Sequence, residues 1–500
     1  MRSITKILAL SSLAVLPLVG GCGDDEDAGS PPSGSGATSN QGGDGGTSGK
    51  GGSAGKGGSG NTGNTGGDGT GNTGGDGTGN TGNMGGDTST AGAGGNGPVV
   101  PTCDLDNLED GGALPASGEV EGGYFYEIDG RTDVLSGEVL TIGPCTKILG
   151  SGTDDVIVVQ PGGQLVAEGT ADAPIVFTSA EANPAPGDWG GIVLAGNAVC
   201  NDATADTKCT VEGFASDPPV YGNTADDAVN DESSGSLKYV RIEYPGVDLG
   251  GGKEINGLSL AGIGSGTTLS HIMISHALDD CFEFFGGTVN ADHLICYDPG
   301  DDMFDTDQGF SGHVQFAFGR QLFPGDSDAS GAHGFEMDND STTFDKAPIS
   351  SPKFSNVTLC GTNQAEAGTP NLGGNFRRGT AGALMNVLIT GFETAAYSVR
   401  DNDPTVVTTI TLTDSTAWDN NADSDGDNAL DDTWFADEAT NSTTEPENFG
   451  DCYADPPAPF PAAAIAGGTP TGFADDGAEF QGAFEDADDN WMTTPWVSWD

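Results

Sequence analysis

From residue 101 onward, short segments that alternate apolar and polar residues are separated by Gly- and Asp-rich connectors. Apolar residues at every second position are typical of a β-strand with one buried face, and the spacing of an amphipathic helix is absent from these segments. The segments are Leu237–Tyr244, Leu269–His276, Ala291–Asp298, Phe354–Gly361, Leu384–Gly391 and Val407–Asp414. The pattern therefore predicts an all-β domain over residues 101–500.

The segments recur at a spacing that predicts a solenoid. Ile272 and Leu294, each the fourth residue of its segment, are separated by one repeat of about 20–25 residues, and longer gaps allow inserted loops or a skipped coil near Val314. Stacked strands without helices predict a parallel β-helix. The fourth residues are Val240, Ile272, Leu294, Val357, Val387 and Ile410. The residues before the inward positions, predicted to stack in an outward ladder, are Tyr239, His271, His293, His313, Asn356 and Asn386.

The first 22 residues have the pattern of an export signal. Arg2 and Lys6 precede an apolar stretch that is too short to span a membrane, and Val19-Gly-Gly-Cys22 follows it. Small residues before a cysteine resemble the lipobox of bacterial lipoproteins, in which the cysteine is lipidated. An ordinary signal peptide with an incidental cysteine is the alternative. We expect residues 1–22 to be a lipoprotein signal peptide and Cys22 to anchor the chain in the outer membrane, at the cell surface or the periplasmic face.

Residues 23–100 predict a tether. This segment consists mostly of Gly, Ser, Thr, Asn and Asp, and the octad that starts at Asn64 is repeated at residues 72–79. Without an apolar face, such a segment cannot offset the entropy of ordering and stays a flexible coil. A coil of this length would hold the domain roughly 50 Å from the membrane.

The charge of the chain excludes one class of partner. The 500 residues include 75 acidic and 16 basic side chains, a formal net charge of -59. A surface this negative repels phosphate backbones, so we expect no nucleic-acid partner. Only eight of the acidic residues precede residue 101, so the excess negative charge belongs to the predicted β-helix.

The cysteine count favours an oxidising compartment. Eight of the nine cysteines remain when Cys22 is set aside, and an even number in an exported chain predicts disulfides. Cys200 with Cys209 is the best-supported pair, because it would close a polar loop. Cys281 with Cys296 and Cys103 with Cys145 are weaker pairings. No C-x-x-C spacing supports a zinc site.

Three motifs carry a resemblance to a known family. Gly187–Asn197, Ser236–Tyr244 and Phe282–Asn290 resemble a family of exported lipoproteins of Gram-negative bacteria with a fold similar to the pectate-lyase superfamily. The resemblance covers roughly residues 115–500 and implies a right-handed parallel β-helix. It transfers no reaction and no catalytic residues.

The segment 277–340 repeats an acidic motif at the spacing of one coil. Asp279-Asp-Cys-Phe-Glu283 aligns with Asp301-Asp-Met-Phe-Asp305, and Phe335-Glu-Met-Asp338 is a third acidic rung. Coils about 4.8 Å apart would stack these carboxylates in columns, where repulsion raises their pKa unless a cation or Arg intervenes. Oxygen ligands suit Ca²⁺, whereas solvated turn aspartates are the alternative. The candidate calcium ligands are Glu283, Asp305, Asp307, Glu336 and Asp338.

A second acidic loop runs from Asn421 to Asp432. Asn421, Asp423 and Asp425 supply oxygens at loop positions 1, 3 and 5, Gly426 stands at position 6 and Asp432 at position 12. This is near the EF-hand pattern, but the last residue is Asp rather than Glu, and no flanking helices are predicted. A helix-free calcium loop and a flexible polar insertion both remain open.

Two functions from different classes are consistent with these features. The first is a surface-anchored, calcium-stabilised β-helix that binds glycans or other surface proteins, or has a structural or adhesive role. The second is a carbohydrate-active enzyme, a polysaccharide lyase or glycoside hydrolase, that uses carboxylates between Asp301 and Glu336. Arg377, Arg378 and Arg400 stand near the later coils and are expected to pair with the acidic ladder. No Ser nucleophile motif is present.

Overall fold

The structure, a computed structural model, describes residues 103–249, 253–323, 331–363, 370–400, 406–425 and 433–500. The predicted signal peptide 1–22, its Cys22 and the predicted tether 23–100 lie outside these residues. Within the described ranges, strands dominate and the helix α1 has four residues.

The described elements follow one another in short steps along the chain. They are β1 Glu109–Ala113, β2 Gly118–Val120, β3 Tyr124–Glu127, β4 Thr132–Val134, β5 Val139–Ile142, β6 Thr146–Gly150, β7 Ile157–Val159, β8 Gln164–Glu168, β9 Ile175–Ser179, β10 Ile192–Ala195, β11 Cys209–Thr210, β12 Val220–Tyr221, β13 Gly235–Glu243, β14 Val247–Asp248, β15 Glu254–Ile255, β16 Leu258–Ala261, β17 Thr268–Ser275, β18 Phe282–Phe285, β19 Asn290–Tyr297, β20 Phe304–Asp307, β21 His313–Arg320, β22 Phe335–Met337, β23 Lys353–Cys360, β24 Leu372–Arg377, β25 Ala383–Thr390, β26 Ala395–Arg400, β27 Thr411–Thr413, β28 Thr416–Trp418, β29 Ser424–Asp425 and α1 Trp434–Asp437.

The strands stack coil upon coil in two large parallel sheets. One sheet has 15 strands and the other has ten, while β11–β12 and β14–β15 form small antiparallel pairs. The long strand β13 pairs with β8 through its first half and with β9 through its second half, so the larger sheet is bent into two faces. Three faces around one core make a parallel β-helix, which confirms the predicted fold.

A left-handed residue marks the bend in every long strand of the larger sheet. Tyr239, His271 and His293 have φ values of 50°, 56° and 55°, and the register of adjacent strands is aligned on both sides of them. The next member of this ladder is Phe316 and not His313, which was wrongly predicted to occupy it. His313 is the first residue of β21, three positions earlier. His313 and Phe316 each precede a buried residue, Val314 and Ala317, so apolar alternation alone does not distinguish them.

The predicted position of Ile410 is also wrong. β27 pairs Leu412 with Leu384, so the segment is displaced by five residues from the alignment that places Ile410 opposite Val387. The alternating Thr and apolar residues of this segment fit several registers equally well, and an odd displacement exchanges the two faces of a strand. Ile410 is accordingly only partly buried.

Aromatic rings fill the core beneath the smaller sheet. Phe282 of β18 stacks on Phe304 of β20 with ring centroids 5.4 Å apart, and Phe335 of β22 follows at 6.0 Å. All three side chains are fully buried. Because side chains alternate along a strand, the residue after each phenylalanine points away from the core.

The C-terminal segment 446–500 lies against the outer face of the larger sheet. Trp491 and Trp496 pack in a hydrophobic cluster with Met273 and Ile295, and Asn356 donates hydrogen bonds to backbone carbonyls of this segment. Disulfides join Cys103–Cys145, Cys200–Cys209, Cys281–Cys296 and Cys360–Cys452. Among the described residues, no helix is long and apolar enough to cross a bilayer.

Candidate functional site: an acidic cleft

Three acidic side chains stand next to one another on the outer surface of the smaller sheet. The register pairs Glu283 of β18 with Asp305 of β20, and Asp305 with Glu336 of β22. Each follows one of the stacked phenylalanines of the core, which explains why all three point outward. The structure thus brings these residues together in the column that their spacing predicts.

Asp307 and Asp338 lie beside this column. Asp307 ends β20, and Asp338 directly follows β22 and donates its backbone N–H to the carbonyl of Thr306 at 2.8 Å. Both line the same cleft as Glu283, Asp305 and Glu336, a cavity of about 240 Å³ that is open to solvent. All five predicted residues of the first acidic segment therefore share one site.

The cleft contains more carboxylates than the column. Its walls also include Asp279, Asp280, Asp301, Asp302, Glu212 and Glu254. The four aspartates come from the coil corners that precede β18 and β20, where the acidic motif repeats. Glu212 comes from an inserted loop distant in sequence, and no spacing signal points to it. Glu254 belongs to the hairpin strand β15, two residues before Asn256. Asn256, another lining residue, precedes Asp280 by about one coil and could have been found from that spacing.

Arginine neutralises one end of the cleft. Arg377 Nη2 lies 2.6 Å from Glu336 Oε1, and Arg377 Nε donates to Asp338 Oδ1 at 3.0 Å. Arg378 Nη1 is 2.6 Å from Asp338 Oδ2. The expected pairing of these arginines with the ladder is therefore present. Asn375, the next residue of the column, donates to Glu336 Oε1 at 2.9 Å.

At the other end of the cleft, carboxylates face one another. Oxygens of Asp280, Glu283 and Asp305 lie within 4.8 Å of one another, as do those of Asp279, Asp280 and Asp301. Asn256 donates its side-chain amide to Glu283, and Asp280 Oδ1 accepts the N–H of Asp302 at 2.8 Å. Asp305 Oδ1 is buried and accepts no hydrogen bond from the described residues. These oxygens form two triads of cation-ligand type that share Asp280.

Burial and mutual repulsion hold these carboxyls protonated at pH values where they would ordinarily ionise. Burial, followed by the charges of neighbouring carboxylates, raises the pKa of Asp280, Glu283 and Asp305 well above its usual value. Burial and the Asp338 carboxylate raise the pKa of Asp307 to about 7. Without a bound cation, several carboxyls of the cleft are therefore expected to keep their protons at higher pH than free carboxyls do.

The pH dependence of stability follows from the sign of these shifts. A carboxyl whose pKa is raised by folding binds more protons in the folded state, so stability is lost as pH rises from the unfolded to the folded pKa. The lowered pKa of His271, about 4, has the opposite effect, but only below about pH 6.5. With a chelator present, we expect the melting temperature to fall from pH 6.5 to pH 8. A flat profile in that window would contradict the proposed protonation of the cleft.

The second predicted calcium loop is only partly visible. Asn421 is exposed, Asp423 is partly buried and Asp425 ends β29, which pairs with β26. Gly426 and Asp432 lie outside the described residues. The described half of the loop thus continues the smaller sheet, and the calcium loop stays a prediction.

The disulfide Cys200–Cys209 lies in an insertion that supplies one wall of the cleft. It closes residues 201–208, and the same insertion, between β10 and β13, continues to Glu212 and Tyr221. The Tyr221 hydroxyl donates to Gln308 Oε1, and Gln308 lines the cleft next to Asp307. Burial, then the nearby carboxylates, raise the pKa of Tyr221 well above its usual value, so this hydroxyl remains a donor.

Comparison with known proteins establishes the family. Residues 116–453 match the sequence model of the pectate-lyase like beta helix domain. The chain belongs to this family. Its right-handed parallel β-helix agrees with the resemblance found in the sequence motifs, and the match spans the coils that build the acidic cleft.

Two solved structures are similar to the chain at low identity. Pectate lyase Pel9A is 12% identical, with 69% of this chain and 88% of that chain covered and a TM-score of 0.32. An alginate lyase from Paenibacillus sp. str. FPU-7 is 14% identical, with 60% and 92% covered and a TM-score of 0.18. No curated protein sequence matches.

Proposed function

We propose that this protein is a calcium-loaded β-helix that binds carbohydrate at the cell envelope. The observation that carries the proposal is the set of oxygens around Asp280, where two triads of carboxylates meet and share that residue. Like charges at such distances are stable only with bound protons or a bound cation.

Calcium is the cation that fits the donors. The residues around Asp280 offer carboxylate oxygens and the amide side chain of Asn256, with no nitrogen or sulfur ligand among the described neighbours in the cleft. Oxygen ligands in number and irregular geometry favour Ca²⁺ over Zn²⁺, and Mg²⁺ demands a stricter octahedron. Asp280, Glu283 and Asp305 would hold one ion, and Asp279 and Asp301 would complete a second position.

The open cleft supports a ligand beyond the ion. A cation held on one side by the sheet keeps coordination positions toward solvent, and sugar hydroxyl or carboxylate oxygens suit those positions. The ion also offsets the negative field that would otherwise repel an acidic glycan. The family description points in the same direction, although a fold alone does not fix a ligand.

The location of the protein is part of the proposal. A lipid on Cys22 and the tether 23–100 would hold the β-helix at the outer membrane, where calcium and surface glycans or other surface proteins are available. Labelling of the cells with a radioactive fatty acid, compared with a Cys22→Ser variant, tests the anchor. Absence of label from the unaltered chain would rule out a lipid anchor on Cys22.

Carbohydrate binding gives a direct prediction. We expect the full-length chain to bind at least one neutral or uronate glycan of a panel when Ca²⁺ is present, and to lose that binding when the ion is chelated. An Asp280→Asn variant is expected to lose glycan binding even when Ca²⁺ is present, because it loses the ion. Binding that persists in chelator would contradict a role for the ion in glycan recognition.

A catalytic function is the second candidate, and Asp307 is the observation that favours it. Asp305 and Asp307 lie on the same strand, β20, and line one open cleft, where neighbouring carboxyls can act as general acid and base; in the cation-free cleft the pKa of Asp307 is raised to about 7. Incubation of the same glycan panel and separation of the products tests this candidate. Product formed by the unaltered chain but not by Asp305→Ala or Asp307→Asn would replace the binding role with an enzymatic one. Intact glycans throughout would leave binding as the function.

A further inference from the structure

A group of nitrogen and oxygen donors lies on the larger sheet, away from the acidic cleft. His271 belongs to β17, and Asp292 and His293 belong to the adjacent strand β19. One ring nitrogen from each histidine and a carboxylate oxygen of Asp292 lie within 4.8 Å of one another. The proposed function uses none of these residues, because the cleft is built on the smaller sheet.

We propose that His271, Asp292 and His293 form a binding site for a transition-metal ion such as Zn²⁺. Two imidazoles and one carboxylate are a ligand set that suits Zn²⁺ and other late first-row divalent ions, whereas Ca²⁺ prefers oxygen alone. Three protein ligands leave one position for water or for a ligand from solution.

Existing hydrogen bonds already direct the donors toward one another. Asp292 Oδ1 lies 2.6 Å from His293 Nδ1 and accepts the Ser270 hydroxyl at 2.6 Å. Ser270 Oγ in turn lies 2.8 Å from His271 Nδ1. A bound metal ion would take the place of the proton between Asp292 and His293. The hydroxyl of Ser270 would still donate a hydrogen bond to the Asp292 carboxylate and orient it.

The backbone holds both histidines at an unusual conformation. The left-handed region is unfavourable for most L-residues, and Asn and His occupy it more often than most other residues. Asn356 and Asn386 occupy the same ladder position in later coils, with φ values of 56° and 59°. The ladder position accepts Tyr and Phe as well as Asn and His, so a His293→Asn substitution is compatible with this backbone.

The surroundings hold the rings in place and leave a route from solvent. The two imidazoles stack with centroids 4.2 Å apart, and Trp491 stands edge-on 4.9 Å from His293. Trp496 is edge-on to His271 at 5.4 Å. Asp292 also lines an open cleft of about 270 Å³, from which an ion could reach it.

The test is a titration of the chelator-treated, full-length chain with Zn²⁺ in saturating Ca²⁺, followed by calorimetry, and with Co²⁺ followed by its visible absorption. We expect one site, with a Co²⁺ spectrum that shows nitrogen ligands. His293→Asn keeps a residue that tolerates the backbone, and it is expected to weaken Zn²⁺ binding at least tenfold. His276→Asn is the matched control, because His276 also has a positive φ but pairs with Asp298 outside the cluster.

The outcomes separate a metal site from a purely structural ladder. Weaker binding in His293→Asn and in Asp292→Asn, with unchanged affinity in His276→Asn, would support the site. Absence of Zn²⁺ binding, or an affinity that the first two variants leave unchanged, would overturn it. Loss of Zn²⁺ binding in Asp280→Asn alone would also overturn it, since the ion would then occupy the acidic cleft. Circular dichroism of each variant establishes that it folds.

Discussion

Replacement of Arg377 by glutamine is expected to destabilise the calcium-free protein by about 3–5 kcal/mol. The guanidinium is the partner of both Glu336 and Asp338, and the three side chains are only 12%, 10% and 5% exposed. Breaking a buried ion pair leaves an uncompensated charge, which costs more than the pair itself contributed. Urea unfolding in chelator measures the difference.

Two further variants show whether the loss has this origin. Asp338 keeps Arg378 as a partner, so adding Glu336→Gln to Arg377→Gln removes the charge that lost its ion pair and is expected to recover part of the stability. Lys238→Gln breaks an exposed pair with Glu168 and should cost less than about 1 kcal/mol. Equal costs for Arg377→Gln and Lys238→Gln would show that Arg377 does not neutralise the cleft.

Asp280→Asn is expected to affect the stability of the calcium-free and the calcium-bound protein differently. Without calcium, the substitution removes one ionisable group from a crowded set of carboxylates and keeps an oxygen that can accept the N–H of Asp302. We therefore expect the melting temperature in chelator to rise or stay unchanged. With calcium, the variant should lose the stabilisation that the ion gives the unaltered chain, about 2.7 kcal/mol at a concentration one hundred times Kd.

Asp155→Asn is the matched control for this experiment. Asp155 is as buried as Asp280, and it accepts backbone N–H groups of Gly130 and Ser151 outside the cleft. Its replacement should lower stability equally with and without calcium. A calcium response that survives in Asp280→Asn, or disappears in Asp155→Asn, would contradict the placement of the ion.

The fold was predictable because its structural repeat appears in the sequence as a regular spacing of apolar and acidic residues. Apolar alternation and the one-coil offset between Glu283 and Asp305 identified both the solenoid and the acidic column. The apolar periodicity gave a wrong alignment where more than one strand register was consistent with it. The misplaced His313 and Ile410 both lie in segments whose alternation also fits a displaced pairing.

The walls of the cleft could not be predicted in the same way. Glu212 is brought in by the insertion between β10 and β13, and Glu254 by the hairpin strand β15. Glu212 does not stand one coil from Asp280, and Glu254 belongs to an antiparallel hairpin outside the two large sheets. Contacts that depend on the path of a loop rather than on a repeat leave no spacing in the sequence, so only the three-dimensional structure reveals them.

The acidic cleft is proposed to bind calcium through Asp280 and its neighbours. Isothermal titration of Ca²⁺ into the chelator-treated, full-length chain tests it most directly, with Glu283→Gln as the comparison. Saturable binding is predicted for the unaltered chain, with an affinity at least tenfold lower in Glu283→Gln. Binding of the same strength in both proteins, or no saturable binding in the unaltered chain, would contradict the account.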